Sequence, residues 1–185
     1  MSGTSETIRI DGWREIADRD SLMPGLDEVF FTSSATQSFS SAEARAQFRE
    51  RWLGRFLNHY PDWAFVAREP GGRVAAYIVG SPDDPALTPL FADVGYFPAI
   101  AHLTRRFPAG LHVNVRADLR SAGLGARLIE AFAAKARRAG LAGLHAVTGE
   151  RLRNTGFYRR NGFTFEEPFT WNNRALVFLG RAIEL

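Results

Sequence analysis

The sequence predicts an α/β chain, a mixed sheet with helices on both faces, and three observations carry that expectation. Leu111, Val113 and Val115 alternate with His112, Asn114 and Arg116, the period-two pattern of a strand with one apolar face. A glycine-punctuated turn, Arg120 to Gly125, follows at once, and Leu124, Leu128, Ile129 and Phe132 then recur at helical spacing. All the elements together fall in the order βααββ and then βαβαββ, an α/β or α+β arrangement with about six to seven strands around a central strand-turn-helix unit.

Taken in order, Ile8 to Ile10 reads as a short edge strand. The stretch from Asp18 leads into a helical pattern through Leu22, Leu26, Val29 and Phe30. Ser40 and Glu43 have capping-box spacing, ahead of Phe48, Trp52, Leu53, Phe56 and Leu57 at helical intervals, and Pro61 stops that helix. Trp63 to Arg68 and Arg73 to Val79 are β-rich runs joined by Glu69-Pro70-Gly71-Gly72, an antiparallel hairpin. Gly80 to Pro89, with three prolines, is loop. The central helix runs from about Gly123 to Arg138 with Gly140 placed to end it. Leu144 to Val147 is a strand, a short helix lies around Arg153 to Arg160, and strands follow at Phe163 to Phe165 and Ala175 to Leu179. There is no repeat and no low-complexity segment.

At 185 residues and 45 % hydrophobic, the chain is expected to be one domain, 1–185. It has no cysteine, which removes disulfides, thiolate metal sites and a cysteine nucleophile together. The polar N-terminus lacks the order of a signal peptide, and no apolar run approaches the roughly 20 residues of a membrane helix. A cytoplasmic location with no membrane partner is the expectation. The net charge is +3, but Arg116 to Arg160 holds nine arginines and one lysine against Asp118, Glu130 and Glu150. Such a segment favours an anion, unless its arginines are simply solvated helix faces. Helix-turn-helix, zinc-finger and RNA-recognition signatures are missing, so no nucleic-acid partner is expected. His59 and His102 stand far from other ligand types, and no His/Asp/Glu cluster has metal spacing, so no metal is expected.

The turn Arg120-Ser121-Ala122-Gly123-Leu124-Gly125 sits between a strand and a helix, where backbone N–H groups point at whatever occupies the helix N-terminus. Phosphate is the natural occupant. A Walker loop would need Lys-Ser or Lys-Thr next, and a dinucleotide fingerprint would need glycine where Leu128 stands, so both nucleotide readings fail. The turn resembles the pyrophosphate loop of GNAT acetyltransferases: Gln or Arg, two residues, Gly, any residue, Gly or Ala. Downstream, Phe157-Tyr158-Arg159-Arg160-Asn161-Gly162-Phe163 resembles that family's short helix ending in an aromatic pair and Gly-Phe, in the right order and about 35 residues away. The resemblance covers Leu111 to Phe165 well. The hairpin Trp63 to Val79 fits the family's second and third strands, and the first 60 residues fit only in outline. Leu111 to Val115 also looks like bacterial members related to the acetyltransferase-like domain of O-GlcNAc hydrolases.

The resemblance implies a GNAT acyl-CoA N-acyltransferase fold with splayed central strands. Acetyl-CoA would lie with its pantetheine along Val113, Asn114 and Val115 and its pyrophosphate on Arg120, Ser121, Ala122, Gly123, Leu124, Gly125 and Ala126. Phe157 and Tyr158 would also face the cofactor, and Tyr158 would be the general acid for the departing thiolate. The family often has an asparagine seven residues before that tyrosine; here the position is Arg151, with Asn154 three residues on, and either could take the contact. The base is left open between His112, opposite the apolar face of its strand, and Glu150, after the fifth strand, each against a structural reading; His145 reads as core. Trp13, Phe30, Phe31, Phe39, Trp52 and Phe56 are candidates both for an acceptor pocket and for core. The activity implied is acetyl-CoA-dependent N-acetyl transfer to a small-molecule or protein amine, and the family's habit of dimerising implies a homodimer. The alternative is a non-catalytic acyl-CoA-binding module with a degenerate GNAT site.

Overall fold

The computed structural model describes residues 7–150, 152 and 154–184. Along the chain come β1 (Arg9–Gly12), α1 (Met23–Ser33), α2 (Ala42–Arg49), a π-helical turn (Glu50–Gly54), α3 (Arg55–His59), β2 (Ala64–Arg68) and β3 (Val74–Ser81). Then follow α4 (Ala101–Arg106), β4 (Ala109–Val115), α5 (Leu124–Arg138), β5 (Gly143–Gly149), α6 (Asn154–Arg160), β6 (Phe165–Trp171) and β7 (Arg174–Ala182). The seven strands make one mixed sheet in the order β1-β2-β3-β4-β5-β7-β6, flanked by helices, as the periodicity predicts.

The residues gather into two compact units. The first holds the chain through Gly80 together with His112–Phe132, and the second holds Ser81–Leu111 and the chain from Ala133 onward.

In the first unit, β1, β2 and β3 are antiparallel. Their hairpin turns at Gly72, whose φ of 84° only glycine adopts without strain, and the Gly72 N–H donates to the Glu69 carbonyl at 2.8 Å. Every residue of β3 is buried, so it reads as a continuous apolar run rather than an alternating one. Leu26, Val29, Phe30, Leu53, Phe56, Leu128, Ile129 and Phe132 form the helical side of this core, and Trp63 meets Phe132 edge-on at 5.3 Å. The helix expected from the Ser40/Glu43 box starts one residue later. Ser41 is the cap, and its Oγ accepts from the Ala44 N–H at 3.1 Å, because that hydroxyl reaches the third helical position. The apolar spacing also hides a register change, since the helix passes through a π turn before α3 resumes.

In the second unit, β4 runs parallel to β5 (Ala109 opposite Leu144, Gly110 opposite His145), and β5 is antiparallel to β7. The sequence reading assigns no element to α4, which is only six residues long and follows a prolyl turn at Phe97–Ile100. The strand expected at Phe163 to Phe165 is displaced: β6 begins at Phe165 and pairs with β7 through a two-residue turn. Asn172 and Asn173 hold φ of 47° and 60° there, the left-handed values a tight hairpin needs. Phe163 belongs instead to the cap of α6. Gly162, at φ 84°, donates to the Arg159 carbonyl, and the Phe163 N–H donates back to Tyr158.

Candidate functional site

The first unit carries the strand end and the anion loop. Arg116 closes β4, and its N–H donates to the Ala75 carbonyl of β3 at 2.9 Å. Its guanidinium is buried and grips Glu69 with two bonds of 2.9 Å, Asp118 with bonds of 2.7 and 3.1 Å, and the Val74 carbonyl at 3.2 Å. Hydrogen bonds from Arg116 hold both carboxyls below their ordinary range and raise the guanidinium further. The clamp fixes where the strand ends and the loop begins.

A single 3₁₀ turn, Ala117–Leu119, leads into that loop. Ser121 and Gly123 both take left-handed backbone, at φ 72° and 76°. The Arg127 N–H is the first after the loop to bond back, to the Gly123 carbonyl at 3.1 Å. Among the described residues, the N–H groups of Gly123, Leu124, Gly125 and Ala126 have no acceptor, at the positive end of a helix of 15 residues. Nothing lies within 4 Å of where a Cβ would stand on Gly123. Arg120, Ser121 and Ala122 are exposed, and Arg120 has no carboxylate partner among the described residues. Leu124 and Gly125 are buried, so Leu124 gives the loop only its N–H while its side chain enters the core. This arrangement fits a pyrophosphate group: backbone donors, open approach and one unpaired cation.

Val113, Asn114 and Val115 are half-buried. The Asn114 amide nitrogen donates to the Tyr77 hydroxyl at 2.6 Å, which ties the side chain to the core. Tyr77 is fully buried, and burial raises its pKa. Ser33, the last residue of α1, donates from Oγ to the Val115 carbonyl at 3.4 Å. His112 is half-buried and held edge-on by Trp52 and Phe56, each at 5.3 Å between ring centres.

Of the six aromatics named for an acceptor pocket, Trp13, Phe30 and Phe56 are core. Trp52 is half-buried against His112. Phe31 and Phe39 line a cavity of about 540 Å³ together with Thr36, Gln37 and Arg45. The sequence reading missed Arg45; its signal was a cation four residues past the helix cap, facing the same way as the aromatic positions.

The second unit holds the other expected residues. Tyr158 is buried, its ring edge-on to Phe157 at 5.3 Å and to Phe163 at 5.1 Å. Phe157 is half-buried. Asn154 opens α6 and accepts a hydrogen bond from the Thr148 hydroxyl at 3.0 Å, so its amide oxygen is spent on β5. Glu150 is exposed, with its N–H on the Ala175 carbonyl. Arg151 lies outside the described residues. His145 is core, as expected: Nδ1 donates to the Phe107 carbonyl, the ring stacks on Phe178 at 5.1 Å, and burial lowers its pKa to about 4. Among the described residues no three His, Asp or Glu side chains cluster to hold a metal, and no helix is long and apolar enough to cross a membrane.

The family model of the acetyltransferase (GNAT) family matches residues 29–163, and the chain belongs to that family. No curated protein matches the sequence. Solved structures share its fold at low identity. SsHAT is 18 % identical with a TM-score of 0.70, covering 97 % of this chain and 100 % of its own. A mutant of agmatine N-acetyltransferase, in its apo form, is 14 % identical with a TM-score of 0.64, covering 95 % and 99 %. The yncA protein of Salmonella typhimurium, solved with its cofactor acetyl-CoA, is 19 % identical with a TM-score of 0.54, covering 96 % and 94 %.

Proposed function

We propose that this protein is an N-acetyltransferase that moves an acetyl group from acetyl-CoA to a primary amine, of a small molecule or a protein, by direct attack. The observation that carries the reading is the loop from Arg120 to Ala126, whose unsatisfied N–H groups at the start of α5 suit a pyrophosphate. Family membership supports the rest.

Acetyl-CoA supplies an activated acyl group as a thioester. Arg120 to Ala126 hold its pyrophosphate, and the half-exposed backbone of Val113 to Val115 takes its extended amide arm as a further strand would. Tyr158 holds the proton that goes to the departing thiolate. The amine must lose a proton, and His112 is the stronger of the two candidate bases. Its ring is fixed by Trp52 and Phe56, whereas the Glu150 side chain stands exposed with no partner among the described residues to orient it. Asn154, or Arg151, adds a cofactor contact.

Calorimetric titration with acetyl-CoA tests the first step, and thiol release against a panel of amines tests the second. Micromolar binding with release on one amine class is expected. Gly125→Glu should abolish binding, and Tyr158→Phe should keep binding while lowering kcat about 10²-fold. Binding with no release on any amine would make the chain an acyl-CoA-binding module, and no binding would overturn the reading.

A further inference from the structure

We infer that the cavity between the end of α1 and the start of α2 binds a carboxylate carried by the acceptor, and that Arg45 selects it. That the ligand is the acceptor rests on the acetyl-transfer reading; the binding itself stands on the cavity alone.

The site is an open depression of about 540 Å³ in which Thr36, Gln37 and Arg45 are exposed and Phe31 and Phe39 are half-buried, a size that takes a small organic molecule. Phe31 and Phe39 give it apolar walls, their rings 6.0 Å apart and edge-on. The Arg45 guanidinium carbon lies 3.5 Å from the centre of the Phe31 ring. A guanidinium stacked by its face on an aromatic ring keeps its N–H edges for an in-plane partner, and the partner that matches that fork is a carboxylate. No carboxylate of the protein fills the role: among the described residues Arg45 has no ion pair. Its neighbours in the same unit do: Arg49 pairs with Asp27, Arg68 with Asp11 and Arg73 with Glu28. Glu43, the acid of the adjacent first turn, has its pKa lowered by its own backbone N–H and by Ser41, and it makes no ion pair with Arg45.

The cavity wall is already fixed. The Gln37 amide donates to the Phe31 and Ser34 carbonyls, and the Thr36 N–H donates to Ser34 Oγ at 3.1 Å. The same segment is tied to β4 by the Ser33 hydroxyl on the Val115 carbonyl, at the strand end that the proposed function gives to the cofactor. An acceptor reaching from there into the cavity would meet a cation and two phenyl rings. A plain polyamine is repelled by Arg45, whereas an amine that also carries a carboxylate and an apolar group is held at both ends.

Phenylacetate and phenylacetamide, equal in shape and different in charge, probe the site without any chemistry. Titrated into the labelled protein and followed by amide and Arg side-chain resonances, phenylacetate should shift Phe31, Phe39 and Arg45, with the amide at least about 10-fold weaker. Arg45→Gln should remove the difference between the two probes, and Arg45→Lys should restore part of it. Equal binding of acid and amide, or an Arg45→Gln variant that binds phenylacetate like the parent, overturns the inference. In turnover, Arg45→Gln should raise KM for L-phenylalanine at least about 10-fold, leaving KM for acetyl-CoA unchanged and KM for phenethylamine no higher. A protein that binds phenylacetate through Arg45 but not acetyl-CoA would sink the proposed function and leave this inference standing. Acetyl-CoA binding without any phenylacetate response would do the reverse.

Discussion

The Phe163 N–H donates to the Tyr158 carbonyl at 3.2 Å, and the two rings meet edge-on with centres 5.1 Å apart. Together with the Gly162 N–H on the Arg159 carbonyl, this is the Schellman end of α6, in which the residue after the glycine closes over the residue five before it. The Tyr-to-Gly-Phe spacing therefore has a mechanical meaning. The residue proposed as the acid is held by the cap of its own helix.

Phe163→Ala should then do two separable things. Phe163 is fully buried, and its truncation should cost about 3–5 kcal/mol in urea unfolding. It should also lower kcat with little effect on KM for acetyl-CoA, because Tyr158 loses its support while Arg120 to Ala126 are untouched. Phe163→Leu, which keeps the contact, should recover most of both; a kcat unmoved by Phe163→Ala would break the link between cap and tyrosine.

The Arg116 clamp gives a pH signature. Glu69 and Asp118 are lowered from ordinary values of 4.5 and 3.8, so the folded state keeps them charged where the unfolded chain takes up protons. Their contribution is fully present above about pH 5 and is lost as pH falls through the lowered folded values. Arg116→Met should be less stable than the parent at pH 7, and the gap should close toward pH 3. Unfolding midpoints across that range decide it, and a gap independent of pH would mean the clamp acts through packing alone.

The parts of this fold that were legible in the sequence are those where one local rule acts unopposed. The alternation through Leu111, Val113 and Val115, the helical face of Leu124, Leu128, Ile129 and Phe132, and the stop at Gly140 needed no tertiary information. Phe163 was misread because an aromatic beside a glycine looks alike in a strand and in a helix cap, and only the 158–163 hydrogen bond tells them apart. The π turn at Glu50–Gly54 was invisible, since apolar spacing barely changes over one wide turn. In the site, the loop could be read because its donors are backbone and its glycines are forced. Arg45 could not, because its meaning is the lack of a partner, a property of three-dimensional neighbours.

Gly123→Ala isolates backbone geometry from sterics. An added Cβ meets nothing within 4 Å, so the whole cost is that of an L-residue at φ 76°, about 1–2 kcal/mol. If the loop relaxes instead of bearing that strain, the N–H groups of Gly123 to Ala126 turn away from the pyrophosphate. Acetyl-CoA affinity should therefore fall by about 10-fold, with a smaller loss for a pantetheine fragment lacking the phosphates. Equal losses for both ligands would remove the loop from the phosphate site.

His145 predicts a second pH dependence, higher than that of the clamp. Its folded pKa of about 4 lies below the ordinary 6.5 because burial disfavours the cation, and the Phe107 carbonyl only partly offsets this. Between those values the unfolded chain binds a proton that the folded chain refuses, so stability falls as pH is lowered from about 6.5 to 4, by on the order of 3 kcal/mol. Above pH 6.5 the group is neutral in both states and contributes no slope. The ring packs where only glycine fits opposite it, since a Cβ on Gly110 would stand 2.9 Å from Nε2, and Phe178 stacks on its face. His145→Gln should flatten the curve in that window whatever its stability at pH 7. An imidazole resonance of His145 that titrates near 6.5 would place the ring in contact with water and remove the effect.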